Sequence, residues 1–404
     1  MGYSCETLFH PDHKAFYITQ QLLDTKKFMI PFYLTLIILP ILAIWNYFLY
    51  SSKPKYLIHY SVNSIYNKHN RNLCIFCASI CVILHTFINP HFSDLNPYCY
   101  RMFLASNNYS YEYIFDHNFP HTKAEVGFRL LCKLLVSISN DVHFFLLVTG
   151  ILITIGYYDS IKRYSPFVLL SFLFFFCDMF IQSLSGLRQH IVMSIMLLTY
   201  PLIIKRKLWL FLLIFLICYT IHQSVIIFLP TFFFYGIRNE KKLITSLILY
   251  AIVLYVGLKF FIIFFVENFT STEASYNLNS DVYGISKDGE NGKIGLLFLG
   301  VLIFRIYVMK KEIFRPGINK LLTILLCLGA LLPLVMMGLK GAGRLNMYFT
   351  SLSFLIVPNT LAYIKNNGYK LLCAMTYWSV LLFMLIKKIT WATDNDMWFF
   401  TSNW

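Results

Sequence analysis

Lys205-Arg206-Lys207-Leu208-Trp209-Leu210-Phe211-Leu212-Leu213-Ile214-Phe215-Leu216-Ile217-Cys218-Tyr219-Thr220-Ile221-His222-Gln223-Ser224 runs from a basic cluster into an apolar stretch and stops on polar residues. Val225–Tyr235 is apolar again, and Arg238, Lys241 and Lys242 follow. Two readings compete. One is a single tilted helix over Leu208–Tyr235 with Pro230 as a kink. The other is a hairpin, Leu208–Ile221 going out and Val225–Tyr235 coming back. Each half would then have about 11–14 residues, or roughly 16–21 Å of helix, short of the roughly 30 Å hydrocarbon core of a bilayer. The single helix puts the later basic cluster Lys310–Lys320 outside. The hairpin keeps every basic connection on one side, and it is the reading we prefer. It places His222 at a turn within the outer part of the membrane.

The rest of the chain supports a membrane setting. Hydrophobic residues make up 58% of it and charged residues 13%, which excludes an ordinary soluble domain. Apolar runs cover Phe28–Tyr50, Asn72–Asn89, Val142–Tyr158, Phe167–Ser185, Leu243–Val266, Ile294–Met309, Ile318–Gly338, Leu345–Ile364 and Leu371–Ile386. Backbone polar groups must be paired in lipid, so these are expected to be helices. Met1–Lys27 lacks the shape of a signal peptide, so the first helix is expected to stay. The expected fold is all-α: one polytopic membrane domain over residues 1–404, about 12 transmembrane helices, and two long outer loops, about 90–141 and 267–293.

A net charge of +15 suggests nucleic acid, but its distribution argues otherwise. The basic residues gather in short connections: Lys53/Lys55/Lys68/Arg71, Lys162/Arg163, Lys205–Lys207, Arg238/Lys241/Lys242, Lys310/Lys311/Arg315/Lys320 and Lys365/Lys370. The positive-inside rule places them in the cytoplasm. The acidic residues Asp94, Glu112, Asp116, Glu125, Asp281, Asp288, Glu290, Asp394 and Asp396 fall mostly in the other connections. This is an orientation signal, and no nucleic-acid partner is expected.

Polar groups in such a chain are costly to keep and mark candidate sites. Ser185-Gly186-Leu187-Arg188-Gln189-His190 ends one apolar run, and His222 ends another. Asp178 lies deep in a span, and a structural ion pair with Lys259 or Arg305 is its expected role. The first outer loop is rich in tyrosine (Tyr98, Tyr100, Tyr109, Tyr111, Tyr113). Such rings suit sugars, although Tyr also belts membrane interfaces. Val126–Leu135 has the pattern of an amphipathic helix lying in the interface. Cys74, Cys77 and Cys81 share a helix face and are read as packing residues; Cys99 and Cys132 share the outer loop and have the option of a disulfide. The scattered histidines have no zinc-ligand spacing, and no metal or cofactor is expected.

Several motifs, in order, resemble the EpsG family of bacterial exopolysaccharide polymerases, a Wzy-like group. They are Asp94-Leu95-Asn96-Pro97-Tyr98 with Phe103, Glu125-Val126-Gly127-Phe128, Tyr164-Ser165, Ser185-Gly186-Leu187-Arg188-Gln189, Lys205-Arg206-Lys207 followed by His222, and Arg344 with Tyr348-Phe349. The sequence departs from the family pattern before Asp94, where Ile88–Ser93 carries neither the usual Arg nor the usual Gly. The resemblance implies a metal-independent glycosyltransferase in the bacterial cytoplasmic membrane. It would join oligosaccharide repeat units carried on undecaprenyl diphosphate at the outer face, among membrane lipids and with a chain-length regulator as a further partner.

That chemistry needs charge balance for a leaving diphosphate, a base for the acceptor hydroxyl, and grips on the sugars. Arg188 suits diphosphate because its planar fork pairs bidentately with phosphate oxygens. His222 and Asp94 are the alternative bases. Gln189, Arg344, Lys340, Tyr98 and Tyr348 are the expected substrate contacts. A flippase for the same lipid-linked sugars, a membrane O-acyltransferase and an O-antigen ligase remain the rival readings.

Overall fold

The computed structural model describes residues 68–88, 90, 95–115, 124–269, 290–335 and 342–394. The expected span Phe28–Tyr50 and most of Glu267–Lys293 lie outside them. Among the described residues all regular structure is helical, with no strand, as the apolar runs require.

Local chemistry sets several helix ends. Val142–Tyr164 starts where the Asp141 carboxylate accepts the backbone N–H of His143 at 2.9 Å, satisfying one of the free donors of the first turn. Lys162 and Arg163 close it, complementing the negative end of the helix. It stops at Ser165, the residue before Pro166, where helical backbone is disfavoured. Together with Ile318–Val335 it is long and apolar enough to cross a membrane. The run Phe167–Ser185 is one path, from Val168–Phe174 through a π-helical Phe175–Phe180 into Ile181–Ser185. The run Leu345–Ile364 is instead broken into Ala342–Thr350 and Ser353–Leu361.

The stretch that decided the topology folds as a hairpin. Leu208–Ile221 is helical, and His222 is extended (φ −156, ψ 109). Gln223–Phe228 then forms a 3-10 turn and Pro230–Gly236 a short returning helix. Pro230 sits in the first turn of that helix, where its missing N–H costs nothing, rather than at a kink. The return is fixed by contacts across it. The rings of Phe211 and Phe232 stack at 5.1 Å. The Arg206 guanidinium covers the Phe232 ring at 4.1 Å and donates to the Phe232 carbonyl oxygen. Gly236 packs against the same guanidinium. One straight helix would put residues 206 and 236 roughly 45 Å apart.

Lys68–Thr86 and Leu187–Leu198 both pack on Val142–Tyr164, and Glu290–Met309 packs on Ile318–Val335. Gly156 lets Val142–Tyr164 approach the Ser194 backbone, and its N–H donates to the Ser194 hydroxyl at 2.9 Å. The described residues of the expected first outer loop are largely helical rather than open. Pro97–Leu104 is π-helical, Ala105–Asn108 and Tyr111–Ile114 are single turns, and Val126–Val136 is an amphipathic helix. That helix buries Phe128, Cys132, Leu135 and Val136 against Pro97–Leu104 and Leu208–Ile221. Cys99 and Cys132 are both buried free thiols, so no disulfide joins them.

Asp178 and Arg305 do not pair, which removes the Arg305 alternative of the expected ion pair. Arg305 is fully buried and spends its five N–H donors on neutral acceptors. Its Nε donates to Thr323 Oγ1 at 3.1 Å, and its terminal nitrogens donate to Asn359 Oδ1, Thr360 Oγ1 and the Asn319 carbonyl oxygen. A guanidinium so saturated has no donor left for an acid. Asp178 accepts instead from Gln182 Nε2 at 3.3 Å and from the Ser353 hydroxyl at 3.4 Å. The side chain of Lys259 lies outside the described residues.

Candidate functional site

Four segments meet where the hairpin turns. Leu208–Ile221 ends at His222, whose N–H still donates to the Cys218 carbonyl oxygen at 2.9 Å while its side chain leaves the helix. Leu187–Leu198 begins after a break at Gly186, which puts Arg188 in its first turn. Val126–Val136 begins after Glu125, in extended conformation (φ −63, ψ 150). Tyr98 comes from the π-helical Pro97–Leu104. Gly127 makes this meeting possible, because a Cβ there would run into Thr220. The start of one helix is thereby pressed against the end of another.

Glu125 is the hub. At a helix start a carboxylate ordinarily caps its own helix, but the Glu125 side chain caps nothing. One oxygen pairs with the Arg188 guanidinium. The other accepts from His222 Nδ1 at 3.2 Å and from the Gln223 backbone N–H at 3.2 Å. Arg188 Nε also donates to the Tyr98 hydroxyl at 3.4 Å, and its guanidinium lies 5.7 Å from the centre of the Tyr98 ring. Tyr98 in turn rests edge-on against Phe128 at 5.6 Å.

The electrostatics follow from that arrangement. Burial opposes the Glu125 charge, but the hydrogen bond from His222, the Arg188 charge and the backbone N–H groups outweigh it. They hold the carboxyl down at about 2. An ionised carboxylate only accepts, so Nδ1 of His222 carries a proton, and the tautomer this selects presents Nε2 as the acceptor. Arg188, Glu125 and His222 keep 18%, 15% and 22% of their side-chain surface. They are partly desolvated, which strengthens charge interactions, yet still reachable.

The structure thus brings together three expected residues, Arg188, His222 and Tyr98. Tyr348 approaches from behind. It is buried, and its hydroxyl bonds the Ser224 hydroxyl at 3.0 Å. It braces the turn that carries His222, whereas the sequence reading made it a substrate contact. Gln189 is 5% exposed and lies in the interior. Arg344 belongs to the helix Ala342–Thr350, with its side chain outside the described residues. Asp94 and Lys340 also lie outside them. Sequence reasoning missed the role of Glu125. The signal was present in Glu125-Val126-Gly127-Phe128, but an acid before a helix has an ordinary explanation as a cap. Among the described residues no three His, Cys, Asp or Glu side chains cluster so as to hold a metal.

The EpsG family model matches residues 70–402, most of the chain and all of this site. The chain belongs to the EpsG family. No curated protein and no solved structure matches it. Membership in EpsG points to a membrane-associated, glycosyltransferase-type polymerase of polysaccharide biosynthesis. All four members of the cluster, Tyr98, Glu125, Arg188 and His222, lie in the motifs that carried the resemblance.

Proposed function

We propose that this EpsG protein joins undecaprenyl-diphosphate-linked oligosaccharide repeat units at the outer face of the bacterial cytoplasmic membrane. The observation that carries the reading is the Glu125 carboxylate shared between Arg188 and His222. It supports an arrangement in which a base is oriented by an acid, next to a fixed cation, all at one partly exposed point.

In the proposed reaction Nε2 of His222 takes the proton of an acceptor sugar hydroxyl. That oxygen attacks the anomeric carbon of the donor, and the anomeric carbon–oxygen bond to the diphosphate breaks. Undecaprenyl diphosphate leaves with the bonding electrons, and Arg188 balances its charge through bidentate contacts. Glu125 keeps His222 in the acceptor tautomer and stabilises the imidazolium that forms. Tyr98 fixes the guanidinium plane. No nucleotide sugar enters, because the lipid diphosphate is the leaving group.

The membrane arrangement belongs to the same proposal: about twelve spans, both ends outside, and every basic connection in the cytoplasm. The cluster then faces substrate that has already been exported. Lipid-linked sugars from a deletion strain test the reading. Single repeat units should accumulate on the outer leaflet, and His222→Ala should reproduce that phenotype. Accumulation on the cytoplasmic leaflet would identify a flippase and sink the enzyme reading.

A further inference from the structure

The helix Val126–Val136 has a second polar end. Glu125 and the reactive cluster lie at its start, and Lys133 lies eight residues on, about 12 Å along the axis. The Lys133 ammonium donates to the carbonyl oxygens of Ser106 at 3.1 Å and Asn107 at 3.5 Å. It also sits 5.5 Å from the centre of the Tyr111 ring. Two residues to either side of Tyr111 in the chain, the rings of Tyr109 and Tyr113 stack at 5.1 Å with 15° between their planes. The turn that carries them is fixed. Ser110 caps it by accepting the Tyr113 N–H at 3.3 Å, and Ile114 anchors it in the core at 0% exposure. Tyr111 is 45% exposed, and Asn107, Asn108, Ser110 and Glu112 around it are exposed as well.

We propose that this surface is a saccharide subsite, holding sugars of the chain whose end reacts at Glu125, Arg188 and His222. The inference rests on the polymerase reading. Exposed aromatic rings pack on the C–H faces of pyranoses, and the amide and hydroxyl groups interleaved with them pair with sugar hydroxyls. A ring belt facing lipid would not carry two amides and a carboxylate among its rings. The distance also suits the role. About 12 Å of helix separates Glu125 from Lys133, the reach of a short oligosaccharide, so a unit gripped at Tyr111 is placed to meet the cluster with its terminal residue.

The test uses the purified full-length protein in detergent and the oligosaccharide released by mild acid from the lipid-linked fraction of the producing strain. Binding is followed by saturation-transfer NMR and titration calorimetry. Tyr111→Ala combined with Tyr113→Ala should weaken binding about ten-fold, while Tyr111→Phe, which keeps the ring, binds nearly as the parent does. In turnover assays the double variant should raise KM about as much and leave kcat near the parent value. Arg188→Ala should do the reverse, losing turnover but keeping the free oligosaccharide. Unchanged binding in the double variant, or no binding by the parent, overturns the subsite. So does an unchanged sugar affinity coupled to weaker partition into phosphatidylglycerol vesicles, which would make the surface a membrane belt. Failure of the polymerase reading would look different: Arg188→Ala would still build polymer.

Discussion

His222 Nδ1 lies 3.2 Å from Glu125 Oε1, across 97 residues of chain. The same carboxylate holds Arg188 through its other oxygen. Each of the two expected reactive groups is therefore oriented by an acid that belongs to neither segment.

Glu125→Gln should separate orientation from shape. The amide fills the same space but carries no charge, and its nitrogen offers donors where Arg188 or His222 needs an acceptor. Polymer formation should fall about a hundred-fold or more, with the folded protein still extracted in normal amounts. Near-parental activity in an in vitro polymerisation assay would remove Glu125 from the site.

Glu125 also sets an acid limb of stability. An unfolded carboxyl takes up its proton near pH 4.3, whereas the folded one does so only near 2. Between these values the unfolded chain binds more protons, so stability rises with pH across the window. The contribution is complete above about pH 4.3 and is lost as pH falls towards 2. Thermal melts of the detergent-solubilised protein from pH 5 downward should decline less steeply for Glu125→Gln than for the parent.

Arg188→Lys should be nearly as inactive as Arg188→Ala. A single ammonium keeps the charge but cannot hold the planar fork that meets Tyr98 and Glu125 at once. The expected loss is about a hundred-fold in turnover, read from lipid-linked product ladders. Parental product lengths from the Lys variant would reduce Arg188 to a generic counter-charge.

The hairpin predicts sidedness. Lys205→Cys and Asn239→Cys should react with impermeant maleimide from the same face, because Arg206 reaches the Phe232 carbonyl oxygen and Gly236. Asn107→Cys should react from the opposite face. Opposite labelling of positions 205 and 239 would restore the single long helix.

Arg305→Lys should destabilise by about 3 kcal/mol. Three rotatable donors cannot replace a rigid fork that ties Thr323, Asn359, Thr360 and Asn319 together. The loss should show as a lower melting temperature and lower folded yield, with turnover per folded molecule unchanged.

Much of this is legible in the sequence. The hairpin followed from Lys205–Lys207 and Arg238–Lys242, because a charge count on loops constrains how many times the chain crosses. Arg188 and His222 stood out because polar groups are expensive where the chain is otherwise apolar. The rest depended on distances that spacing does not encode. Tyr348 lies four residues after Arg344, but its burial depends on how the short helix Ala342–Thr350 is rotated against Ser224. The Asp178–Arg305 pairing assumed that a buried acid seeks a cation, whereas Asp178 accepts from Gln182 and Ser353 and Arg305 is satisfied by side-chain amide, hydroxyl and carbonyl oxygens. The Glu125-Val126-Gly127-Phe128 motif marked Glu125, but not its role as a hub, because its partners Arg188, His222 and Gln223 come from distant segments.

The contact between Gly127 and Thr220 bears on how such proteins can be recombined. The strand of chain that brings Glu125 and the one that brings His222 touch with no spare volume between them. A chimaera that takes residues 95–136 from one relative and its hairpin from another inherits two surfaces shaped for different neighbours. A bulkier residue at either position would pull the acid away from the imidazole. Exchanges of substrate preference between relatives should therefore succeed when residues 95–136 and 208–236 travel as one cassette, and fail when either is moved alone.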